Sequence, residues 1–339
     1  MLSNIIKPAI LTAMVSVGAV QWAEAQSPLG ARASGMAGAF VGVADDASAV
    51  YWNPAGLATG AYASLVLDAG PWEALPPEDT PAGQAGRQTG RLAAISTPPL
   101  GFAYYRVGSF AAGPVEPAVS GFPGRQEVRR SVRALTTSTI GATLLQSLGE
   151  YVVVGTTLKL VRGSATSGFA GSDARGALDA AGELRSGTET TGDLDAGLMV
   201  AVRRLRVGLV AHNLTTPTFG HDDGGGEAVT LDRQVRVGGA WGSGWPGRSR
   251  VVVAVDADVT ARTSMGGDRR DLAAGVETWW KAQRVGVRAG VRRSMIGDAR
   301  PVVAAGASAG LTSAVFLEGH VARGWQAERS WSIGARMTF

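Results

Sequence analysis

The chain is predicted to be all-β, a closed antiparallel transmembrane β-barrel of about 14 strands whose bore is stoppered by an N-terminal segment. Three observations carry this. Stretches of about ten residues repeat a period of two, the gaps between them alternate long and short, and 48 glycines stand beside no cysteine and only 18% charged residues. Alternation is the mark of a strand with two unlike faces. Ten residues is also the length a tilted strand needs to cross a bilayer, ~9–11.

The first residues set the compartment. Lys7 supplies a weakly basic start, "PAILTAMVSVGAV" (8–20) a short apolar run, and "AEA" (23–25) small residues at a cleavage site. Residues 1–25 therefore read as a signal peptide, too short in its apolar part to span a bilayer as a helix. Export and an absence of cysteine exclude disulfide staples and thiolate metal centres.

Residues 26–60 follow. "SGMAGAFVGVADDASAVYWNPAGLA", Ser34 to Ala58, is too broken by glycine for a good helix and too small-sided for a strong strand. A fourteen-stranded barrel encloses a lumen too wide for side chains alone to fill. Small residues let an irregular backbone pack inside it, where protein surrounds it. Asp45 and Asp46 then meet arginines of the wall.

Residues 61–339 form the barrel. Candidate strands are 61–69, 90–97, 100–108, 130–146, 150–163, 192–202, 204–213, 232–242, 250–260, 270–281, 283–293, 301–311, 313–323 and 330–339. In "QRVGVRAGVRR" (283–293), Val285, Val287, Ala289 and Val291 point one way and Arg284, Arg288 and Arg292 the other. Alternation alone would also suit a soluble sandwich. The connections decide. Gaps after odd-numbered strands are mostly long (70–89, 109–129, 164–191, 214–231), and gaps after even-numbered strands mostly short (98–99, 147–149, 203, 282). Outer-membrane barrels have long outer loops, short periplasmic turns and an even strand count. With no water in the hydrocarbon to satisfy an open edge, the sheet must close. Trp241, Trp279, Trp280 and Trp331 lie near strand ends, as interfacial girdles require. Arg206, Arg236, Arg284, Arg288 and Arg292 are expected to project inward and hold the Asp45–Asp46 pair, biasing the lumen toward anionic solutes. Cross-strand pairing is the plainer role for each of them.

Other chemistry finds little support. The net charge of +4 is scattered rather than clustered, which argues against nucleic acid. "GSGWPG" (242–247) matches a dinucleotide-type glycine pattern, but a strand follows where a helix must start. His212, His221 and His320 have no metal-ligand spacing, and nothing places a serine with them. Asp193 with Asp195, and Asp256 with Asp258, share strand faces and read as salt-bridge partners of arginine. No catalytic residue, cofactor or metal is assigned, and the chain is not expected to be an enzyme.

"GARASGMAGAFVGVADDASAVYWNPAGLA", followed by a barrel ending in Phe339, resembles the FadL-type outer-membrane transporters and their PorV/PorQ-like relatives. The resemblance implies a fourteen-stranded barrel with an N-terminal hatch; its Asn-Pro-Ala element matches Asn53, Pro54 and Ala55, with Gly56 behind them. "RVGLVAHNLTTPTFG" with "LDRQVRVGGAW" is more similar to the PorV side. Trp331, Ile333 and Phe339 in the last strand resemble the signal read by the barrel-assembly machinery. Two functions stay open at this point. One is passage of hydrophobic or amphipathic small molecules, long-chain fatty-acid-like, past a hatch in the outer membrane. The other is a PorV-like scaffold for secreted or surface-attached proteins. Outer-membrane lipids and the assembly machinery are partners under either.

Overall fold

The computed structural model describes residues 29–76, 83–118, 127–220, 228–243, 250–264, 267–280, 284–297, 301–324 and 328–339. The expected signal peptide, residues 1–25, lies outside them.

Fourteen strands close into one antiparallel barrel. They are Ser64–Ala74, Ala85–Thr97, Leu100–Ala118, Glu127–Leu148, Val152–Ala170, Glu189–Val202, Leu205–His212, Gln234–Ser243, Arg250–Asp258, Asp271–Trp280, Val285–Ser294, Pro301–Gly310, Val315–Gly324 and Arg329–Thr338. Each pairs with the next along the chain, and the first closes on the last from Ser64↔Thr338 to Glu73↔Arg329. Closure leaves no unpaired edge, the condition for a sheet in hydrocarbon.

The two faces are inverted relative to a water-soluble protein. Val255 is 50% exposed while its neighbour Asp256 is 0% exposed. Leu67, Ile95, Phe102, Ile140, Leu158, Leu160, Val303 and Ile333 continue the same exposed apolar face around the wall. Contiguous apolar surface of this extent is unfavourable in water and natural against lipid chains.

Two expectations need correction. Trp241, Trp280 and Trp331 are exposed on the outer face, but Trp279 is buried and stacks edge-on to Phe316 at 5.7 Å. Adjacent strand residues point to opposite faces, so Trp279 and Trp280 cannot both reach lipid. The strands in the first half also run further than their alternation shows, to Ala118, from Glu127 and to Ala170. The pattern is lost near Gly113 and Pro114, where the register shifts between Ala112 and Val115. Glu127–Leu148 has 22 residues, about twice the ~9–11 that cross a bilayer, so these hairpins stand well clear of it.

The segment expected as a loop at 164–191 holds a helix, Ala174–Glu183. Asp173 caps it, accepting from the Gly176 amide at 2.6 Å. Its buried residues Ala177, Leu178 and Ala181 pack on Ala85, Phe110, Ala112 and Val132. Those wall residues share the outward parity of the register, so the helix lies on the outside of the tall hairpins. A short ribbon, Thr218–Phe219 with Val229–Thr230, packs Phe219 inward against Leu135, Val161 and Ala165.

Candidate functional site

The site is where the leading segment meets the wall. Leu29–Leu57 is almost wholly buried. It folds as two short helical turns, Ala31–Gly35 and Ala49–Trp52, and a 3₁₀ turn, Pro54–Thr59. Gly30, Gly35, Gly38, Gly42 and Gly56 interrupt the run too often for a longer helix. Its partners come from all round the barrel, from Asp68 and Gly101 to Gly155, Gly208, Asp256 and Glu277. A segment in contact with the inward faces of opposite strands occupies the bore.

Arg32 is the centre of its fixation. The guanidinium is bidentate to Glu277, with Nε–Oε2 and Nη2–Oε1 both 2.8 Å. Its Nη1 also reaches Asp45 Oδ1 at 2.5 Å and Asp46 Oδ2 at 3.0 Å. Arg206 and Arg250 of the wall each meet Asp45 Oδ2 at 3.3 Å. Three guanidiniums thus face three carboxylates, and Arg32, Asp46 and Glu277 are buried. Planar forks on carboxylates make the strongest ion pairs available to side chains. Arg206 and Arg250 lie at strand starts just after short turns and Glu277 just before one, so the cage sits at the short-turn mouth. Asp46 Oδ1 also accepts from the Ser48 amide at 3.0 Å, which fixes the local turn.

Two wall carboxylates hold backbone rather than side chains. Asp68 accepts from the Gly30 and Ala31 amides at 3.1 and 2.8 Å, taking donors that the start of a helix leaves unmatched. Asp256 Oδ2 accepts from the Phe40 and Val41 amides, both at 2.7 Å. Asn53 donates to the Val41 and Leu198 carbonyls at 3.1 and 3.3 Å, while its Oδ1 accepts from the Ala55 amide at 3.2 Å. That ties the Asn-Pro-Ala element to the wall.

Glycine makes room for these contacts. A Cβ on Gly155 would fall on the Pro54–Ala55 peptide, and one on Gly197 on the Asn53 amide. On Gly290 it would fall on the backbone of Met36 and Ala37. The wall is glycine-rich where another backbone comes closest.

The predicted arginines fare differently. Arg206 meets Asp45 as expected. Arg236 instead pairs with wall acids, 3.4 Å from Asp258 Oδ1, and Arg292 meets Glu328 at 3.1 Å. Arg288 is buried against Gly35 and donates to Ser308, so it holds neither Asp45 nor Asp46. Arg284 departs from the expectation of an inward side chain: it stands on the turn ahead of its strand and is exposed. Trp331, Ile333 and Phe339 are all exposed on the outer face, and Phe339 pairs its backbone with Ala63. Asp193 and Asp195 clasp Lys159 at 2.6 Å each, and Asp195 also meets His212 at 3.1 Å. His320 lies inside, 2.8 Å from Ser332 Oγ. His221 lies outside the described residues. Arg32, Asp68, Arg250 and Glu277 were not singled out from sequence. Glu277 faces Arg288 directly across the strands, so register alone pairs it within the wall. The competing arginine comes from 245 residues away.

Asp45 lies outside the strands. Burial works to raise its pKa, but Arg32, then Arg206 and Arg250, outweigh burial and hold it well below the usual carboxylate range. A depressed pKa contributes stability that is complete above the ordinary carboxylate value and fades only as pH falls toward the depressed one. The Asp45 carboxylate is therefore expected to stay ionised from about pH 7 to about pH 4.5, read as an unchanged carboxyl signal of 13C-labelled Asp45. An Asp45 signal that titrates as pH passes through about 5 would contradict this.

The family model described as "F plasmid transfer operon, TraF, protein" matches residues 129–258. No curated protein matches the chain. Among solved structures, the Pseudomonas putida toluene transporter TodX aligns at TM-score 0.55 and 15% identity, over 93% of this chain and 98% of that one. The CymD monoaromatic hydrocarbon channel aligns at 0.56 and 11%, over 92% and 98%. A Pseudomonas aeruginosa FadL homologue aligns at 0.56 and 10%, over 92% and 99%. Identities this low speak to fold alone, and the fold is that of the FadL-type outer-membrane hydrocarbon channels, a closed barrel of fourteen antiparallel strands.

Proposed function

We propose that the chain is an outer-membrane transport protein that passes hydrophobic or amphipathic small molecules, long-chain fatty-acid-like, by a hatch-gated diffusion route. Residues 26–60 are the hatch and residues 61–339 the transmembrane barrel. The observation that carries this reading is the fixation of the leading segment. It combines an apolar cluster of Met36, Phe40, Val50 and Trp52 with Leu92 and Val107 and a cage of ion pairs at the short-turn mouth, contacts that water can replace as the segment withdraws. The solved channels of the same fold, named for toluene and monoaromatic hydrocarbons, support a small apolar cargo. Capture falls to the tall hairpins and release to the short-turn mouth.

A second reading is a PorV-like scaffold for secreted or surface proteins. The filled bore favours it. Uptake separates the two. A strain deleted for the gene and complemented with the wild-type chain is given labelled oleate and labelled toluene. Transport predicts faster uptake of at least one label with complementation. Equal uptake of both, together with loss of a protein from the cell surface in the deletion strain, supports the scaffold.

A further inference from the structure

The outer face of the tall hairpins carries a row of arginines in an unusual setting. Arg91 and Arg106 stand directly opposite each other across adjacent strands, and Arg106 is followed around the wall by Ser138 and Arg162. All three arginines are exposed. Like charges directly opposite on a sheet repel. Among the described residues, neither Arg91 nor Arg106 has an ion pair, and Arg162 bonds only the Thr188 hydroxyl, at 3.0 Å. Arg87, four residues along the same strand face, is different: it meets Glu73 at 3.1 Å and Asp179 at 2.6 Å. The wall neutralises that arginine and leaves the row below it without carboxylates.

The surroundings are layered. On the short-turn side of the row the same outward face carries Ile95, Phe102, Tyr104, Ile140, Leu158 and Leu160, all exposed. On the long-loop side it carries Thr89, Gly108, Thr136 and Ser164, and above them the helix Ala174–Glu183 lies across the hairpins. Apolar wall, cations, hydroxyls and an overhanging helix therefore succeed one another from the membrane outward. An unpaired arginine at the edge of hydrocarbon is costly unless it reaches an anion or water.

We propose that Arg91, Arg106 and Arg162 bind the phosphate of an anionic lipid in the outward-facing leaflet, whose acyl chains lie on the apolar wall below. Guanidinium forks suit phosphate oxygens. The site depends on the wall spanning the membrane and not on what passes through the bore. It is an attachment point for lipid around the barrel, separate from any transported cargo.

The test uses the full chain purified in an uncharged detergent. It is incubated with bisphosphorylated lipid A, with the same lipid lacking both phosphates, or with inorganic phosphate alone, and retained lipid is counted by native mass spectrometry. The wild type is expected to retain the phosphorylated lipid at least roughly tenfold better than the dephosphorylated one. The triple variant R91Q/R106Q/R162Q is expected to lose that preference, R91K/R106K/R162K to recover part of it, and R284Q, far from the row, to keep it. Equal retention of both lipids by the wild type would overturn the proposal, and that comparison needs no variant to fold. So would a folded triple glutamine variant, checked by heat-modifiable gel mobility, that still prefers the phosphorylated lipid. Displacement of the lipid by millimolar inorganic phosphate would also overturn it, by reducing the row to a site for a free anion.

Discussion

Replacing Arg32 with alanine will unlock the bore. The substitution leaves Glu277 buried without its bidentate partner and removes one of the three cations around Asp45. Breaking a buried ion pair by deleting one partner costs about 3–5 kcal/mol, most of it from the charges left behind. The barrel itself keeps its ladders, because Arg32 belongs to none of them. The loss therefore falls on the seating of residues 29–59 and leaves the wall standing. In planar bilayers the wild type is expected to be nearly silent and Arg32→Ala to open in large steps. Cells carrying the variant should become sensitive to bulky antibiotics that the outer membrane normally excludes. Arg32→Lys keeps the charge but loses the fork and should lie between the two. Unchanged conductance in Arg32→Ala would mean that the cage does not hold the segment.

Filling the glycine gaps in the wall should unseat the same segment by steric force. Gly155→Val and Gly197→Val put branched side chains where Pro54, Ala55 and Asn53 now lie. Overpacking of this kind costs about 1–3 kcal/mol, more where backbone has to move. At Gly155 the added side chain meets a second backbone, and at Gly197 it meets the Asn53 side chain that bonds the wall, so the upper end applies. Gly192→Val is the control: it lies in the strand of Gly197 on the opposite face, and a Cβ there meets nothing within 4 Å. Gly155→Val and Gly197→Val are expected to raise bilayer conductance and to expose the leading segment to protease, and Gly192→Val to do neither. Equal behaviour of all three would show that the close approach is not needed to seat the segment.

The contrast between wall and plug explains what the sequence could show. Strand order and parity were legible because each strand has a lipid face and an inner face, and period two is the direct imprint of that division. Val255 beside Asp256 is enough to orient a strand. The upper halves of the hairpins were not legible, since beyond the bilayer no lipid enforces the alternation. The outer helix was missed because "ARGALDAAGE" contains two glycines; its signal was the Asp173 cap followed by Ala177, Leu178 and Ala181 on one face. The leading segment carried no periodicity and was placed in the bore by the width of the lumen and its small side chains, a placement the resemblance also implies. Its fixation was expected as wall arginines on Asp45 and Asp46. The structure uses Arg206 in that way but adds the reverse, with Glu277 on Arg32 and Asp68 and Asp256 on backbone amides. Backbone donors are present at nearly every residue, so no residue type marks which of them a distant carboxylate will choose.

Hydrogen exchange over residues 29–59 is the most direct test of the central claim. In the wild-type chain reconstituted in lipid, the amides of Ala31, Phe40 and Val41 should be protected about as strongly as those of the surrounding strands, because Asp68 and Asp256 hold them away from water. Exchange of that segment within seconds, beside a fully protected wall, would mean that the bore is open and the account is wrong.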